Sequence, residues 1–139
     1  MSSKNFIDKK YYKNKWITYV FVSHYNAMIH SFTRMTIKGV LWYQGESNTG
    51  WHANFYRCMF SKMIEYWRST WYIRTNTSTD IHFPFGFVQL ATRVNDTSYV
   101  GDFPELRWHQ TFDIGYVPNS YVPNVFMAVP IDLRDDGAS

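Results

Sequence analysis

The sequence predicts an α/β fold built on a parallel sheet. Three short runs of apolar and β-branched residues have the composition of buried strands, and two longer segments with helical spacing separate them. Strands that alternate with helices pair in parallel through right-handed crossovers. The chain has 139 residues, of which 45% are hydrophobic and 20% are aromatic, and this is enough for one hydrophobic core.

The first predicted strand covers Val40 to Tyr43, and the polar segment Gln44 to Asn48 follows it directly. A helix is predicted over about His52 to Tyr72, because apolar side chains recur there at four-residue steps. These side chains are Phe55, Met59, Met63 and Trp67. Cys58 is the only cysteine, and inside this helical pattern it is expected to be a small buried hydrophobe.

The second predicted strand covers Phe83 to Leu90. Pro104 favours the first turn of a second helix, which is expected to continue through Phe112. Residues at helical spacing in this segment are Leu106, either His109 or Gln110, and Asp113. The third predicted strand covers Val125 to Val129 and is followed by Asp132.

Positive charge is concentrated at the N-terminus. The formal net charge is +3, and five lysines lie in the first fifteen residues. We expect residues 1–22 to be a basic arm and residues 23–139 to form the folded domain. A short lysine-rich terminus is typical of a solvated tail, and without a recognised module it does not predict nucleic-acid binding. The longest apolar stretches, such as Ile17 to Val22, are too short to span a membrane, and no signal peptide is predicted.

Polar side chains follow all three predicted strands. Gln44 to Asn48 come after the first strand, Gln89 and Thr92 after the second, and Asp132 after the third. Ligands in open α/β sheets bind just beyond the carboxyl ends of the strands. These residues therefore predict one site at that edge of the sheet. The alternative is a polar loop that only caps the helix after the first strand.

No metal or cofactor is expected, because the histidines lack the paired spacing of a metal site. The histidines are His24, His30, His52, His82 and His109. Ser47 lies where a nucleophile elbow would lie, but Thr49 stands where the Gly-x-Ser-x-Gly pattern needs its second glycine. A small esterase that uses Ser47 with His109 or His52 stays open as one reading.

Two tripeptides match the sequon for N-glycosylation, at Asn76 and Asn95. Both fall in polar segments with loop composition. They favour a secretory or lysosomal route for the parent protein.

Six blocks of the sequence resemble the family of sialate O-acetylesterases, in consistent order from about residue 23 to residue 134. The blocks are Tyr25 to His30, Thr36 to Asn48, Phe83 to Leu90, Arg107 to Gln110, Gly115 to Asn119 and Pro123 to Val129. The resemblance implies a serine esterase of the SGNH hydrolase superfamily. It also implies a flavodoxin-like three-layer α/β/α sandwich, incomplete in this chain, and O-acetylated sialic acids or related acetylated carbohydrates as the substrate.

The resemblance also implies roles for the polar segment. Gln44 and Gly45 belong to the block that helps to form the oxyanion hole, and Glu46 or Asp132 is the candidate acid of the triad. The alternative for Glu46 is a buried carboxylate bonded to loop amides. Residues expected to contact the substrate are Asn48, Gln89 and His109.

Two catalytic motifs of the family do not occur in these 139 residues. They are the Gly-Gln-Ser-Asn type block with the nucleophilic serine and the Ile-His-Pro type motif with the histidine. We therefore expect this chain to be inactive or nearly so by itself, marginally stable and prone to association. The full-length parent is expected to be lysosomal or secreted. The rival function is a non-catalytic carbohydrate-binding module that uses exposed aromatic side chains and the basic arm.

Overall fold

The computed structural model describes residues 25–49, 53–91 and 103–132. They belong to two compact units, one that ends at Met35 and one that begins at Thr36. The described part of the first unit contains a π-helix, Tyr25–Ile29, followed directly by a 3-10 helix, His30–Phe32. The second unit contains the sheet and both α-helices.

The sheet of the second unit has three parallel strands in the order β1-β2-β3. The strands are β1 (Val40–Trp42), β2 (Phe85–Val88) and β3 (Val125–Ala128). Helix α1 (Ala53–Arg74) joins β1 to β2, and the shorter helix α2 (Phe103–Gln110) lies between β2 and β3 in the sequence. The predicted α/β fold with a parallel sheet is confirmed, and it is consistent with an incomplete α/β/α sandwich.

Aromatic side chains hold α1 against one face of the sheet. The Phe60 ring meets Phe85 and Phe87 edge-on, with centroids 6.0 and 5.3 Å away. On another side it stacks on Phe112, with centroids 5.7 Å apart. All four rings are buried. Each contributes roughly 1.5–3 kcal/mol from removal of its apolar surface from water, so this cluster is a large part of the core.

The face that α1 buries differs from the predicted one. Phe55 and Met59 are 45% and 46% exposed, and of the predicted stripe only Trp67 is buried. The buried residues are Ala53, Tyr56, Phe60, Ile64, Trp67, Arg68 and Trp71. Two neighbouring stripes of this helix both carry apolar residues at four-residue steps, so the spacing alone did not decide between them.

The prediction that Cys58 is buried is also wrong. Its side chain is exposed. Residues two positions apart in an α-helix are separated by about 200° around its axis. Cys58 therefore lies nearly opposite the core residue Phe60. The same rotation of the helix therefore explains both errors.

Helix α2 packs against α1 and buries Leu106 and Gln110. The sequence left open whether His109 or Gln110 faces the core, and the structure shows that it is Gln110. The helix ends at Gln110, two residues before the predicted end, because Phe112 and Asp113 have φ values of 63° and 61°. Those values lie in the left-handed region, which an α-helix cannot include.

The other face of the sheet is exposed in the part of the chain that the structure describes. Leu41 is 82% exposed and Phe126 is 51% exposed. Both lie in register with Gly86 of the central strand. A Cβ atom added at Gly86 would lie 2.7 Å from Leu41 Cδ2 and closer still to the Phe126 ring. These two apolar side chains therefore approach the backbone of Gly86 closely.

Arg68 links α1 by hydrogen bonds to the backbone just before β2 and β3. It is buried in α1 and donates hydrogen bonds to the carbonyl oxygens of Phe83, Pro123 and Asn124, over distances of 2.8–3.2 Å. Its guanidinium carbon lies 5.8 Å from the centre of the Phe83 ring. An arginine on an amphipathic helix is usually solvated, so helical spacing alone does not predict this buried position.

Several predictions fall on residues outside the described ranges. They concern the basic arm at 1–22, the loop with Thr92 and the sequon at Asn95. The division of the chain at residue 22 stays a prediction. Among the described residues, no helix is both long enough and apolar enough to cross a membrane.

Candidate active site

The topology brings the predicted site segments to one edge of the sheet. All three strands are parallel, so their carboxyl ends lie at the same edge. Gln44 to Asn48 follow β1, Gln89 directly follows β2, and Asp132 lies in the turn after β3. This is the edge at which ligands bind in open α/β sheets.

Gln44 is held by hydrogen bonds at its side chain and its backbone. Its side-chain nitrogen Nε2 donates to Asn48 Oδ1 over 2.7 Å. The Tyr56 hydroxyl lies 3.1 Å from the Gln44 carbonyl oxygen and 3.4 Å from the side-chain oxygen Oε1. An amide nitrogen carries two hydrogens, so the second one remains for another acceptor.

Tyr56 keeps its proton at the pH of ordinary solutions. Burial raises the pKa of its hydroxyl above 10.0, and the negative charge of Glu46 raises it further. The hydroxyl therefore remains a hydrogen-bond donor to Gln44. Tyr56 was missed in the sequence analysis because the predicted helix face was rotated away from it.

Gly45 makes the turn that directs the polar segment out of β1. It is buried, with φ of 154° and ψ of −19°, a conformation that favours glycine. A Cβ atom added here would lie 2.9 Å from Leu90 Cδ1 and 3.0 Å from Leu106 Cδ2. Gly45 is therefore required by packing as well as by backbone conformation.

Glu46 and Ser47 belong to a 3-10 helix, Glu46–Asn48, and both are exposed. The alternative of a buried Glu46 bonded to loop amides is therefore wrong. Its negative charge raises the pKa of Tyr56, the residue whose hydroxyl bonds to Gln44. Asp132 is also exposed, and the choice between Glu46 and Asp132 as the triad acid stays open.

Gln89 is tied to α2. Its side-chain nitrogen donates to the carbonyl oxygen of Arg107 over 3.2 Å. The next residue, Leu90, has its backbone N–H bonded to Gln110 Oε1 over 3.0 Å. Gln110 is fully buried and so fixes the end of β2 against the helix. Its role was not predicted beyond its helical spacing.

His109 lies in a charged cluster with neighbours from both helices. Its Nδ1 is 2.6 Å from Asp113 Oδ1, and Asp113 Oδ2 is 2.9 Å from the Arg57 guanidinium. His109 Nε2 is buried without a hydrogen-bond partner among the described residues, with Glu105 Oε1 3.6 Å away. The Asp113 carboxylate therefore binds His109 Nδ1 and orients the imidazole ring. Contact between His109 and a substrate stays a prediction.

The sequon at Asn76 lies at the other edge of the sheet, in the turn after α1. Asn76 is exposed and has φ of 51°. Within the described residues, no group of histidine, cysteine and carboxylate side chains is arranged to hold a metal ion.

Sequence comparison identifies the family of this chain. A family model described as "Carbohydrate esterase, sialic acid-specific acetylesterase" matches residues 7–122. The chain belongs to this esterase family. The predicted resemblance is therefore confirmed.

Several curated relatives of the esterase family align over 111 residues, which are 80% of this chain. The sialate O-acetylesterase of Mus musculus is 54% identical, and those of Homo sapiens and Rattus norvegicus are each 50% identical. The alignments cover 20%, 21% and 20% of those proteins. The chain thus spans about a fifth of the length of the curated relatives that it matches.

Proposed function

We propose that this chain is the central part of a sialate O-acetylesterase, which hydrolyses O-acetyl esters of sialic acids by a serine esterase mechanism. The proposal rests on family membership together with one geometric observation. Gln44 lies after β1, at the ligand-binding edge, and its amide is held by Asn48 and Tyr56. A fixed amide donor at that edge is what an ester hydrolase needs opposite the reacting carbonyl.

The proposed role of Gln44 is to stabilise developing charge. When a nucleophile attacks an acetyl ester, negative charge develops on the carbonyl oxygen. The free hydrogen on Gln44 Nε2 donates to that oxygen in this proposal. Because Asn48 and Tyr56 hold the amide before the substrate arrives, little reorganisation is needed during the reaction.

The nucleophilic serine and the histidine are not assigned to this chain. Ser47 is a neighbour of Gln44 and is not proposed as the nucleophile. Neither family motif that would carry the serine or the histidine occurs in the 139 residues. We therefore propose that the chain alone releases acetate slowly or not at all, and that it acts within a longer protein.

A chimeric protein tests the proposed function. In the sialate O-acetylesterase of Mus musculus, the 111 aligned residues are replaced by those of this chain. We expect the chimera to release acetate from an O-acetylated sialic acid. A chimera that folds and binds substrate but releases no acetate would refute the proposal.

The rival function predicts a different result. A carbohydrate-binding module would bind glycans through exposed aromatic rings such as Trp108, Tyr116 and Tyr121 and would not support catalysis. Glycan binding by the chain, together with an inactive chimera, would favour this second function.

We further propose a lysosomal or secreted location for the full-length parent. The exposed turn position of Asn76 supports it, because oligosaccharyl transfer needs an accessible asparagine. Expression in a secretory host followed by glycosidase treatment tests this. A mass shift that is lost in Asn76→Asp is expected, whereas an unmodified Asn76 would remove this support.

A further inference from the structure

Arg107 in α2 has an unused donor inside the protein. Its Nη1 atom is buried and has no hydrogen-bond partner in the described part of the chain. No described carboxylate forms a salt bridge with it. Burial lowers the pKa of Arg107, although an arginine stays charged in proteins. A buried donor without a partner destabilises the protein, so an acceptor would be bound favourably here.

Arg68 shows how a structural arginine is accommodated in this fold. Arg68 is buried, whereas Arg107 is partly exposed. The Arg68 guanidinium binds the backbone carbonyl oxygens of Phe83, Pro123 and Asn124. Those bonds join α1 to the start of β2 and β3. Within residues 25–49, 53–91 and 103–132, the Arg107 guanidinium has no such set of bonds, so a role in joining structural elements does not account for its position.

The backbone of Arg107 is fixed beside the candidate active site. Its carbonyl oxygen accepts a hydrogen bond from Gln89, the residue directly after β2. The preceding residue, Leu106, packs against Gly45 at the turn after β1. Arg107 therefore lies on the turn of α2 that contacts two of the site segments.

The chemistry of the substrate class supplies a matching acceptor. A sialic acid differs from a neutral acetylated sugar by its carboxylate, and guanidinium groups bind carboxylates through two parallel hydrogen bonds. Glu46 lies two residues after Gln44 at this edge of the sheet, and its negative charge would repel a carboxylate. A guanidinium at this edge would offset that repulsion.

We propose that Arg107 binds the carboxylate of the sialic acid and so determines that the site prefers sialic acids to neutral acetylated sugars. This inference rests on the proposed function and names the residue that recognises the substrate class. Arg107 is a binding residue in this account and takes no part in bond breaking.

The experiment compares two ligands that differ only in this charge. The 139-residue chain is titrated with the methyl glycoside of N-acetylneuraminic acid and with its carboxyl methyl ester, and binding is measured by ligand-observed NMR. We expect the acid to bind about tenfold more tightly than the ester, the difference that one charge-assisted contact supports. In Arg107→Gln, the preference should disappear while binding of the ester is unchanged.

Arg74 provides a matched control. It also has a buried nitrogen without a partner among the described residues, but it lies at the far end of α1, away from the site. Arg74→Gln should keep the preference for the acid. Arg107→Lys keeps the charge without the paired donors, and it should keep part of the preference and the folded spectrum.

Three results would overturn the inference. They are equal binding of acid and ester to the unmodified chain, equal weakening of both ligands by Arg107→Gln, and no binding of either ligand. The acetate-releasing chimera tests the proposed function separately. An active chimera combined with any of these three results would overturn the role of Arg107 alone.

Discussion

The side-chain nitrogen of Gln44 donates a hydrogen bond to Asn48 Oδ1 over 2.7 Å, across the short 3-10 helix that follows β1. This bond closes the polar loop on itself. It leaves one hydrogen of Gln44 for a ligand and ties the amide to a loop whose shape is set by Gly45. The Gln44 amide is therefore oriented by the loop before any substrate binds.

Gly45→Ala should destabilise the fold by about 1–3 kcal/mol, since the added Cβ meets Leu90 and Leu106 in a backbone conformation unfavourable for alanine. Urea unfolding followed by tryptophan fluorescence measures this. Gly115→Ala is the matched control, because Gly115 also has positive φ but its Cβ would meet only Trp108, at 3.3 Å. An equal loss in both variants would show that packing at Gly45 is unimportant.

Arg68→Met should cost about 2–4 kcal/mol in the free energy of unfolding, because it leaves the carbonyl oxygens of Phe83, Pro123 and Asn124 without this donor. Arg57→Met is the control, since the Arg57 side chain is half exposed in its ion pair with Asp113. That change should cost less than about 1 kcal/mol. Similar losses in the free energy of unfolding for Arg68→Met and Arg57→Met would contradict the stabilising role of the Arg68 hydrogen bonds.

The raised pKa of Tyr56 predicts that the fold loses stability at alkaline pH. Its pKa in the folded state is raised above 10.0 by burial and by Glu46. Its contribution to stability is therefore complete below pH 10.0 and is lost as pH rises through the folded-state pKa. Unfolding of the chain at a series of pH values should show this decline.

In Tyr56→Phe, the loss of stability at alkaline pH should be smaller. Tyr121 is exposed, so Tyr121→Phe should not change this loss. An unaltered decline in Tyr56→Phe would mean that Tyr56 does not cause it.

The exposed face of the sheet predicts self-association of the chain. Leu41 lies on that face beside Phe126, and apolar side chains on an uncovered sheet face favour association. Leu41→Lys should shift the chain towards monomer in sedimentation velocity. Ile73→Lys, at a residue of α1 that is 72% exposed, should have little effect. A chain that is monomeric at all concentrations would contradict this.

The strands and the placement of the site could be predicted from the sequence. Runs such as Val40 to Tyr43 allow few alternatives, and parallel pairing then puts the residues after each strand at one edge. The polar residues after β1 and β2 were found for that reason.

The contacts that orient the site could not be predicted. Tyr56 and Met59 lie on neighbouring stripes of one helix that is apolar on several sides, so periodicity did not show which stripe is buried. The hydrogen bond from the Leu90 N–H to Gln110 Oε1 joins residues 20 positions apart. That Arg107 Nη1 lacks a partner among the described residues is visible only in the folded structure. Such features depend on packing between elements, which local patterns do not encode.

The most direct test of the oxyanion role of Gln44 is the rate of acetate release by the chimera carrying Gln44→Ala, with Ser47→Ala as the matched control. We predict that kcat falls by on the order of 10²–10³ in Gln44→Ala, because one amide donor to the developing oxyanion is lost, and that Ser47→Ala stays close to the unmodified chimera. An unchanged kcat in Gln44→Ala, or loss of activity in Ser47→Ala alone, would contradict the account.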